Sequence, residues 1–162
     1  MPVGCIFCDL SRDQVVKIWE NDQFFAILNN YPVSPGHSLV IPKRHVVNLS
    51  DLKSSEKGQL LEVVSEIVNL IKGFDLVSIY QEKLNKASGN SAWFIKKALE
   101  NPDVQRPPDG FNHGINDGKA AGRTVDHLHW HIIPRYFGDV EDPVGGVLHV
   151  IPGMGNYKLK RE

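Results

Sequence analysis

The sequence predicts an α+β fold: an antiparallel sheet of about five strands, one main helix and an inserted helical segment. Three observations support this fold class. Strand-like segments separated by turns fill residues 15–42, apolar residues recur at helical spacing over residues 54–72, and an alternating segment lies near residue 130. A chain of 162 residues has the length of one domain, so we expect a single domain over residues 1–162.

The first three strands are predicted from apolar segments and the turns between them. Residues 15–19 and 24–29 flank the polar residues 20–23, which are typical of a hairpin tip. After a turn-rich segment, the apolar run 37–41 ends at Pro42, which has no backbone N–H to donate to a neighbouring strand. These strands are expected to pair antiparallel because their connections are short.

The main helix is predicted over residues 54–72. One helix face is formed by apolar residues at the required spacing, namely Leu60, Val64, Ile67 and Ile71. Gly73 stands where a C-terminal cap belongs. A second helical pattern over residues 91–100 stops before Pro102. We interpret residues 75–106, which contain this second pattern, as an insertion.

The last two strands are predicted over residues 110–116 and 126–134, joined by a loop that contains glycines. From about Gly138 onwards the chain is rich in glycine, proline and acidic residues. This composition predicts a loop or tail rather than a further helix or strand.

Composition and charge indicate a small-molecule partner. A formal net charge of −1 gives no field that would attract nucleic acid or an anionic membrane, so we expect neither as a partner. No apolar run has the length of a membrane span, and the first residues lack the pattern of a signal peptide. The expected location is therefore cytoplasmic.

The sequence His-Leu-His-Trp-His-Ile-Ile places His127, His129 and His131 at alternating positions. In a strand, side chains two residues apart lie on one face, so the imidazoles would share a face while the intervening apolar residues pack behind them. The segment could instead be a metal-binding tract or the solvent face of an edge strand. A glycine-containing loop at residues 116–125 precedes it, and such loops bring backbone N–H groups to an anion. We predict a phosphate site beside the imidazoles.

This segment resembles, in full, the motif of the histidine triad (HIT) superfamily, in which three histidines alternate with apolar residues. The resemblance continues through Asn116 and residues 121–125, and again in Pro-Gly-His-Ser-Leu-Val-Ile-Pro-Lys at residues 35–43. It implies a HIT-like fold, a nucleotide substrate and a homodimer that joins two half-sheets into one.

The resemblance also implies four catalytic residues. His129, the central histidine, would attack the α-phosphorus of a nucleotide and form a nucleotidyl-histidine that water then hydrolyses. Imidazole suits this step because it is largely uncharged at neutral pH and needs no separate base. His131 would bind the phosphate or the leaving oxygen. His127 is the first triad histidine, and His37 resembles the additional histidine that the family places on the neighbouring strand.

Nucleotide and phosphate contacts are implied for further residues. Asn29 matches the position that binds ribose hydroxyls, and Asn116 matches an amide near the leaving group; both could instead be turn formers. The backbone around Gly122 and the hydroxyl of Thr124 would donate to non-bridging phosphate oxygens.

Arg123 departs from the pattern, because many family members have Gln at this position. Its guanidinium could bind an extra phosphate through two parallel hydrogen bonds. It could equally point outward and pair with Asp126 or another acidic residue.

Cys5 and Cys8 form a Cys-x-x-Cys pair at a spacing common in zinc sites, but a tetrahedral site needs two more ligands. Bacterial HIT proteins and the related galactose-1-phosphate uridylyltransferases resemble this arrangement, and the resemblance implies His45 and His127 as those ligands. Such a Zn²⁺ site would be closed and structural. No organic cofactor is expected. The alternative is a pair of buried reduced cysteines with His45 facing solvent.

Three functional hypotheses follow. The first is a nucleotidyl hydrolase that cleaves dinucleoside polyphosphates such as diadenosine tetraphosphate (Ap4A), or related AMP conjugates. The second is a phosphorylase or nucleotidyltransferase, in which phosphate or a sugar phosphate replaces water. The third is a nucleotide-binding regulatory protein whose hydrolysis is incidental, with the insertion at residues 75–106 as a partner surface.

Overall fold

The computed structural model describes residues 4–9 and 15–158, which form a five-stranded antiparallel sheet and three α-helices. The strands are β1 (Lys17–Glu20), β2 (Phe24–Leu28), β3 (Ser38–Pro42), β4 (Gly110–Gly114) and β5 (Trp130–Arg135). The helices are α1 (Ser54–Ile71), α2 (Leu76–Leu84) and α3 (Gly89–Glu100). The strand order is β1-β2-β3-β5-β4, with every neighbouring pair antiparallel. The predicted α+β fold is confirmed.

The main core lies between α1 and one face of the sheet. Alternate residues of β2, among them Phe24 and Ala26, face this core, and α1 contributes the residues predicted for its apolar face. The intervening residues Phe25 and Ile27 lie on the opposite face, where they pack with residues of β3 and with Phe7. Since β2 and β3 are buried on both faces, they occupy the middle of the fold and provide a rigid support for the loops at their ends.

Residues 75–106, interpreted from the sequence as an insertion, contain two helices, of which the sequence pattern revealed only α3. α2 begins after Asp75, whose carboxylate accepts a hydrogen bond from Ser78 N at 3.1 Å. Its buried face consists of Leu76, Tyr80 and Lys83, so a charged residue interrupts the apolar pattern that identifies a helix. α2 and α3 form a second core with Leu28 at the end of β2.

The last strand begins later than predicted. Regular pairing between β5 and β3 starts at Trp130, opposite Val40, rather than at residue 126. β3 ends at Pro42, two residues after Val40, so it offers little strand to pair with the residues before Trp130. Leu128 instead donates its N–H to Val46 O, in the segment after β3, at 2.7 Å. The first two triad histidines therefore lie in the segment just before the strand.

No helix among the described residues has the length and apolar character that crossing a membrane requires. The cytoplasmic location stays a prediction.

Candidate functional site

The three triad imidazoles lie side by side at the start of β5. His127 is completely buried, His129 is 8% exposed, and the ring centroids of His129 and His131 are 5.0 Å apart. Leu128 and Ile132 point to the opposite side, into the core beneath α1. The structure therefore brings the histidines together on one face and uses the residues between them for packing.

A backbone carbonyl determines the tautomer of His129. Nδ1 of His129 lies 2.8 Å from the carbonyl oxygen of His127, and a carbonyl oxygen can only accept a hydrogen bond. Nδ1 therefore has the proton, and Nε2 has a free lone pair. Burial, reinforced by the positive charge of Arg123, lowers the pKa of His129 below its usual value, although the bond to His127 opposes this change. The ring is thus neutral and nucleophilic at Nε2.

His37 and His131 form a second hydrogen-bonded pair of defined tautomers. Val33 N donates to Nδ1 of His37 at 3.3 Å, so the proton of this ring is on Nε2. His37 Nε2 lies 3.0 Å from Nδ1 of His131 and donates to it, which leaves the proton of His131 on Nε2. Burial and the neighbouring imidazoles lower the pKa of His37 to about 3 and that of His131 to about 4, so both rings are neutral.

Nε2 of His131 is a buried donor that has no hydrogen-bond partner among the described residues. Buried polar groups in proteins are nearly always paired, so an unpaired buried N–H requires an explanation. A ligand oxygen beside the neighbouring His129 would supply the missing acceptor. This is the observation in the fold that most directly indicates a ligand.

The structure brings Asn29 to this pair. Its amide nitrogen lies 3.4 Å from both ring nitrogens of His37, and its amide oxygen accepts from Tyr31 N at 3.0 Å. The backbone N–H of Asn29 also donates to His37 O at 2.9 Å. Asn29 thus lies at the base of the loop between β2 and β3, next to the imidazoles.

The glycine-containing loop has a tight backbone geometry. Gly118 and Gly122 have φ of +105° and +88°, on either side of a single 3-10 turn at Lys119–Ala121. A Cβ on Gly122 would lie 4.0 Å from the amide nitrogen of Asn116, so these two predicted phosphate contacts are neighbours. Thr124, in contrast, is exposed and lines a depression with Cys5 and His45, on the cysteine side of the site.

Arg123 is only 12% exposed and is held by several protein groups. Nη1 donates to Asn48 Oδ1 at 2.9 Å and to Val47 O at 3.3 Å, and Nε forms an ion pair with Asp126 at 3.1 Å. Of the two arrangements proposed from the sequence, the structure contains the pairing with Asp126.

A cavity of about 900 Å³ opens beside His37 and His131. Asn116 also lines it, together with Asn112 and His113 of β4, Ile133 of β5, and Val147 and Val150 of the C-terminal segment. Its volume lies within the range of small-molecule sites. The contribution of the C-terminal segment was not predicted, because a short 3-10 helix at Gly146–Val150 has no periodic pattern that a sequence would reveal.

Cys5, Cys8, His45 and His127 form a cluster that could hold a metal ion, with all four ligand atoms within 4.8 Å of one another. Nδ1 of His127 lies 3.4 Å from the sulfur of Cys5 and 3.5 Å from that of Cys8, and Nδ1 of His45 lies 3.3 Å from Cys8. Nε2 of His127 donates to Pro42 O at 2.8 Å, so the lone pair is on Nδ1 and faces the sulfurs. Two thiolates and two imidazoles are ligands that suit a tetrahedral ion.

The N-terminal turn that contains both cysteines also covers two of the triad imidazoles. The ring of Phe7, between the two cysteines, contacts His127 and His129 edge-on, with centroids 5.8 and 5.3 Å apart. An ion bound by the cluster would therefore hold the N-terminal turn against the central histidine.

Comparison with known proteins agrees with this geometry. The model of the HIT domain family matches residues 12–138. An uncharacterized HIT-like protein of Mycoplasma genitalium is 34% identical over 135 residues, which cover 82% of this chain and 74% of that protein. The AP-4-A phosphorylase of Mycobacterium tuberculosis is 30% identical over 131 residues, which cover 80% of this chain but 51% of that larger protein.

Solved structures show the same relationship. The crystal structure of a Zn-bound histidine triad family protein from Mycobacterium smegmatis superposes with a TM-score of 0.54 and 30% sequence identity, covering 84% of this chain and 78% of that one. The family match spans most of the chain and includes the alternating histidines, so the resemblance seen in the sequence is confirmed. This chain belongs to the HIT domain family.

Proposed function

We propose that this protein is a nucleotidyl hydrolase that cleaves dinucleoside polyphosphates such as diadenosine tetraphosphate, or related AMP conjugates. The supporting observation is that a neutral nucleophile lies next to a buried hydrogen-bond donor that has no partner among the described residues. His129 has a free lone pair on Nε2, and the adjacent His131 has a buried N–H without a partner among the described residues. A phosphoryl group between them would satisfy both.

In the first step, His129 Nε2 attacks the α-phosphorus, and the bond from phosphorus to the bridging oxygen breaks. The electron pair leaves with that oxygen, which accepts a hydrogen bond from His131 Nε2. The nucleotidyl-imidazole is positively charged, and the carbonyl of His127 stabilises this charge through its bond to Nδ1. In the second step, water attacks phosphorus and the nitrogen–phosphorus bond breaks, with its electron pair returning to Nε2. The protons of the water pass to solvent, and AMP leaves with His129 neutral again.

The test is release of AMP from diadenosine tetraphosphate by wild type and by His129→Ala. Rapid release that His129→Ala abolishes would support the proposal, and intact-mass detection of a nucleotidyl adduct after rapid quenching would support the covalent step. Wild type that binds AMP tightly without turnover would contradict the hydrolase and favour a regulatory binding protein.

A phosphorylase is the second candidate, favoured by the similarity to the AP-4-A phosphorylase of Mycobacterium tuberculosis. The first step would be unchanged, but inorganic phosphate rather than water would attack the nucleotidyl-histidine and yield ADP. The same assay with added phosphate separates the two: ADP that appears only with phosphate identifies phosphorolysis.

We propose zinc as the ion of the cysteine and histidine cluster. The solved relative from Mycobacterium smegmatis is described as Zn-bound, and thiolate with imidazole is the ligand set that zinc prefers. Zinc would be structural, linking the N-terminal turn to His45 and His127. Elemental analysis should find about one zinc per chain in wild type and much less in Cys8→Ser. Full occupancy in Cys8→Ser would contradict this ligand set.

We also propose a homodimer. β4 is an edge of the sheet, and the C-terminal segment beside it exposes apolar side chains, among them Val150 at 80% and Ile151 at 60%. A partner subunit would cover both features. Light scattering after size-exclusion chromatography should give twice the 18.2 kDa mass of the chain. A monomer at micromolar concentration would contradict the proposal.

A further inference from the structure

Two polar side chains of α2, which have no part in the proposed reaction, are completely buried. Tyr80 is 0% exposed and Lys83 is 1% exposed. Both belong to the insertion at residues 75–106. Lysine is rarely buried unless its ammonium group is paired, because removing a charge from water has a high free-energy cost. The contacts of these two side chains therefore indicate what the insertion does.

Lys83 binds the start of the loop that joins β2 to β3 (residues 29–37, here the β2–β3 loop). Nζ donates to Leu28 O at 2.8 Å and to the side-chain oxygen of Asn30 at 2.5 Å. These two acceptors lie on either side of Asn29. Burial lowers the pKa of Lys83 to about 8, so at neutral pH the group is still mainly an ammonium donor.

Tyr80 binds the other end of the same loop. Its hydroxyl accepts a hydrogen bond from Gly36 N at 2.9 Å, directly before His37. Gly36 has φ of +82°, and a Cβ at this position would lie 3.1 Å from a methyl carbon of Ile71. The backbone at this end is thus tightly packed against the helices as well as hydrogen bonded to α2.

Between these two points, the loop makes the contacts that build the site. Asn29 N donates to His37 O at 2.9 Å, and the amide of Asn29 lies 3.4 Å from the His37 ring. The His37 ring in turn donates to His131 at 3.0 Å. A continuous set of contacts therefore runs from α2 through the loop to the triad.

We propose that Lys83 and Tyr80 are positioning residues for nucleotide binding, which act by holding the two ends of the β2–β3 loop so that Asn29 and His37 face the substrate. This inference rests on the proposed function, since it concerns nucleotide binding at the same site. Residues 75–106 would then support the nucleotide site by holding the β2–β3 loop. This role differs from the partner surface that was considered from the sequence.

The test compares Tyr80→Phe, which removes only the hydroxyl, and Lys83→Met, which keeps a long side chain but removes its donors. Lys86→Met is the matched control, because Lys86 follows α2 and pairs with Glu82 on the surface. For each zinc-loaded protein, KM and kcat for diadenosine tetraphosphate, the AMP dissociation constant from calorimetry and the thermal unfolding midpoint are measured.

We expect KM and the AMP dissociation constant to rise about five- to twentyfold in Tyr80→Phe and Lys83→Met, the effect of losing one or two buried hydrogen bonds. Turnover at saturation should stay within about twofold of wild type, since the triad itself is intact. Lys86→Met should match wild type in every measurement.

A lower unfolding midpoint with unchanged KM and AMP affinity would overturn the inference, because Lys83 and Tyr80 would then serve stability alone. If Lys83→Met does not fold, Tyr80→Phe decides the question. Wild type that binds AMP without turnover would refute the hydrolase but leave AMP affinity as the test of positioning. Wild type that neither binds AMP nor turns over diadenosine tetraphosphate would overturn both proposals.

Discussion

Nε2 of His37 lies 3.0 Å from Nδ1 of His131, and this hydrogen bond joins the end of the β2–β3 loop to the strand of the histidine triad. Because Val33 N already donates to the other nitrogen of His37, the direction of the bond is determined. His131 consequently presents an N–H to the site while remaining uncharged. The proposed leaving oxygen would meet a fixed dipole rather than a titrating cation.

Removing this donor should slow the first chemical step. We expect His131→Ala to lower kcat about 10²- to 10³-fold, the usual effect of losing one preorganised donor to a developing negative charge. His37→Ala should have a smaller effect on kcat, about tenfold. The His131 ring is still present in this variant, but His37 no longer determines which of its nitrogens has the proton. Single-turnover release of AMP measures both. A His131→Ala rate within threefold of wild type would contradict the assigned role.

The buried histidines should make stability depend on pH. The pKa of His37 is about 3 and that of His131 about 4 in the folded chain, both below the ordinary value of 6.5. As pH falls below 6.5, these histidines become protonated in the unfolded chain but stay neutral in the folded chain. The free energy of unfolding therefore decreases down to about pH 3.

This pH dependence can be measured from thermal unfolding midpoints between neutral pH and about pH 4.5. His37→Gln should reduce the decrease by about 5 °C or more, because one of the titrating groups is gone. His149→Gln, which changes an exposed histidine, is the control and should follow wild type. Identical profiles for wild type and His37→Gln would show that burial of His37 does not produce the effect.

Arg123 should serve stability rather than phosphate binding, since Nη1 already donates to Asn48 and Nε is ion-paired with Asp126. Arg123→Gln is expected to leave KM within twofold and to lower the free energy of unfolding by about 1–2 kcal/mol. Arg44→Gln is the control, because that ion pair with Glu56 involves an arginine side chain that is 46% exposed and should contribute less. A tenfold higher KM with unchanged stability would instead indicate a direct phosphate contact.

One substitution should have opposite effects at two glycines. Gly36→Ala is expected to destabilise the fold by about 1–3 kcal/mol, because φ is +82° and the new methyl group would crowd Ile71. Gly58→Ala should stabilise it by about 0.5–1 kcal/mol, because Gly58 lies inside α1 with no atom near the added Cβ. Chemical denaturation measures both. Equal effects would show that backbone conformation does not distinguish the two positions.

Local patterns made much of the fold predictable. The period of the apolar residues identified α1, because this period follows from helix geometry alone. The turn residues between short apolar segments identified β2 and β3. α2 escaped prediction because Lys83, which is buried, stands on its apolar face. No local rule anticipates a lysine whose acceptors lie more than fifty residues away in sequence.

For the site, the sequence by itself determined which groups are present: alternating imidazoles, a Cys-x-x-Cys pair and a glycine-containing loop. Only the tertiary structure decided what each group can do. The acceptors that orient His127 and the contacts that orient His131 come from the segments around β3, far away in sequence. A histidine's tautomer depends on which atom meets each ring nitrogen, and folding alone brings those atoms within hydrogen-bonding distance.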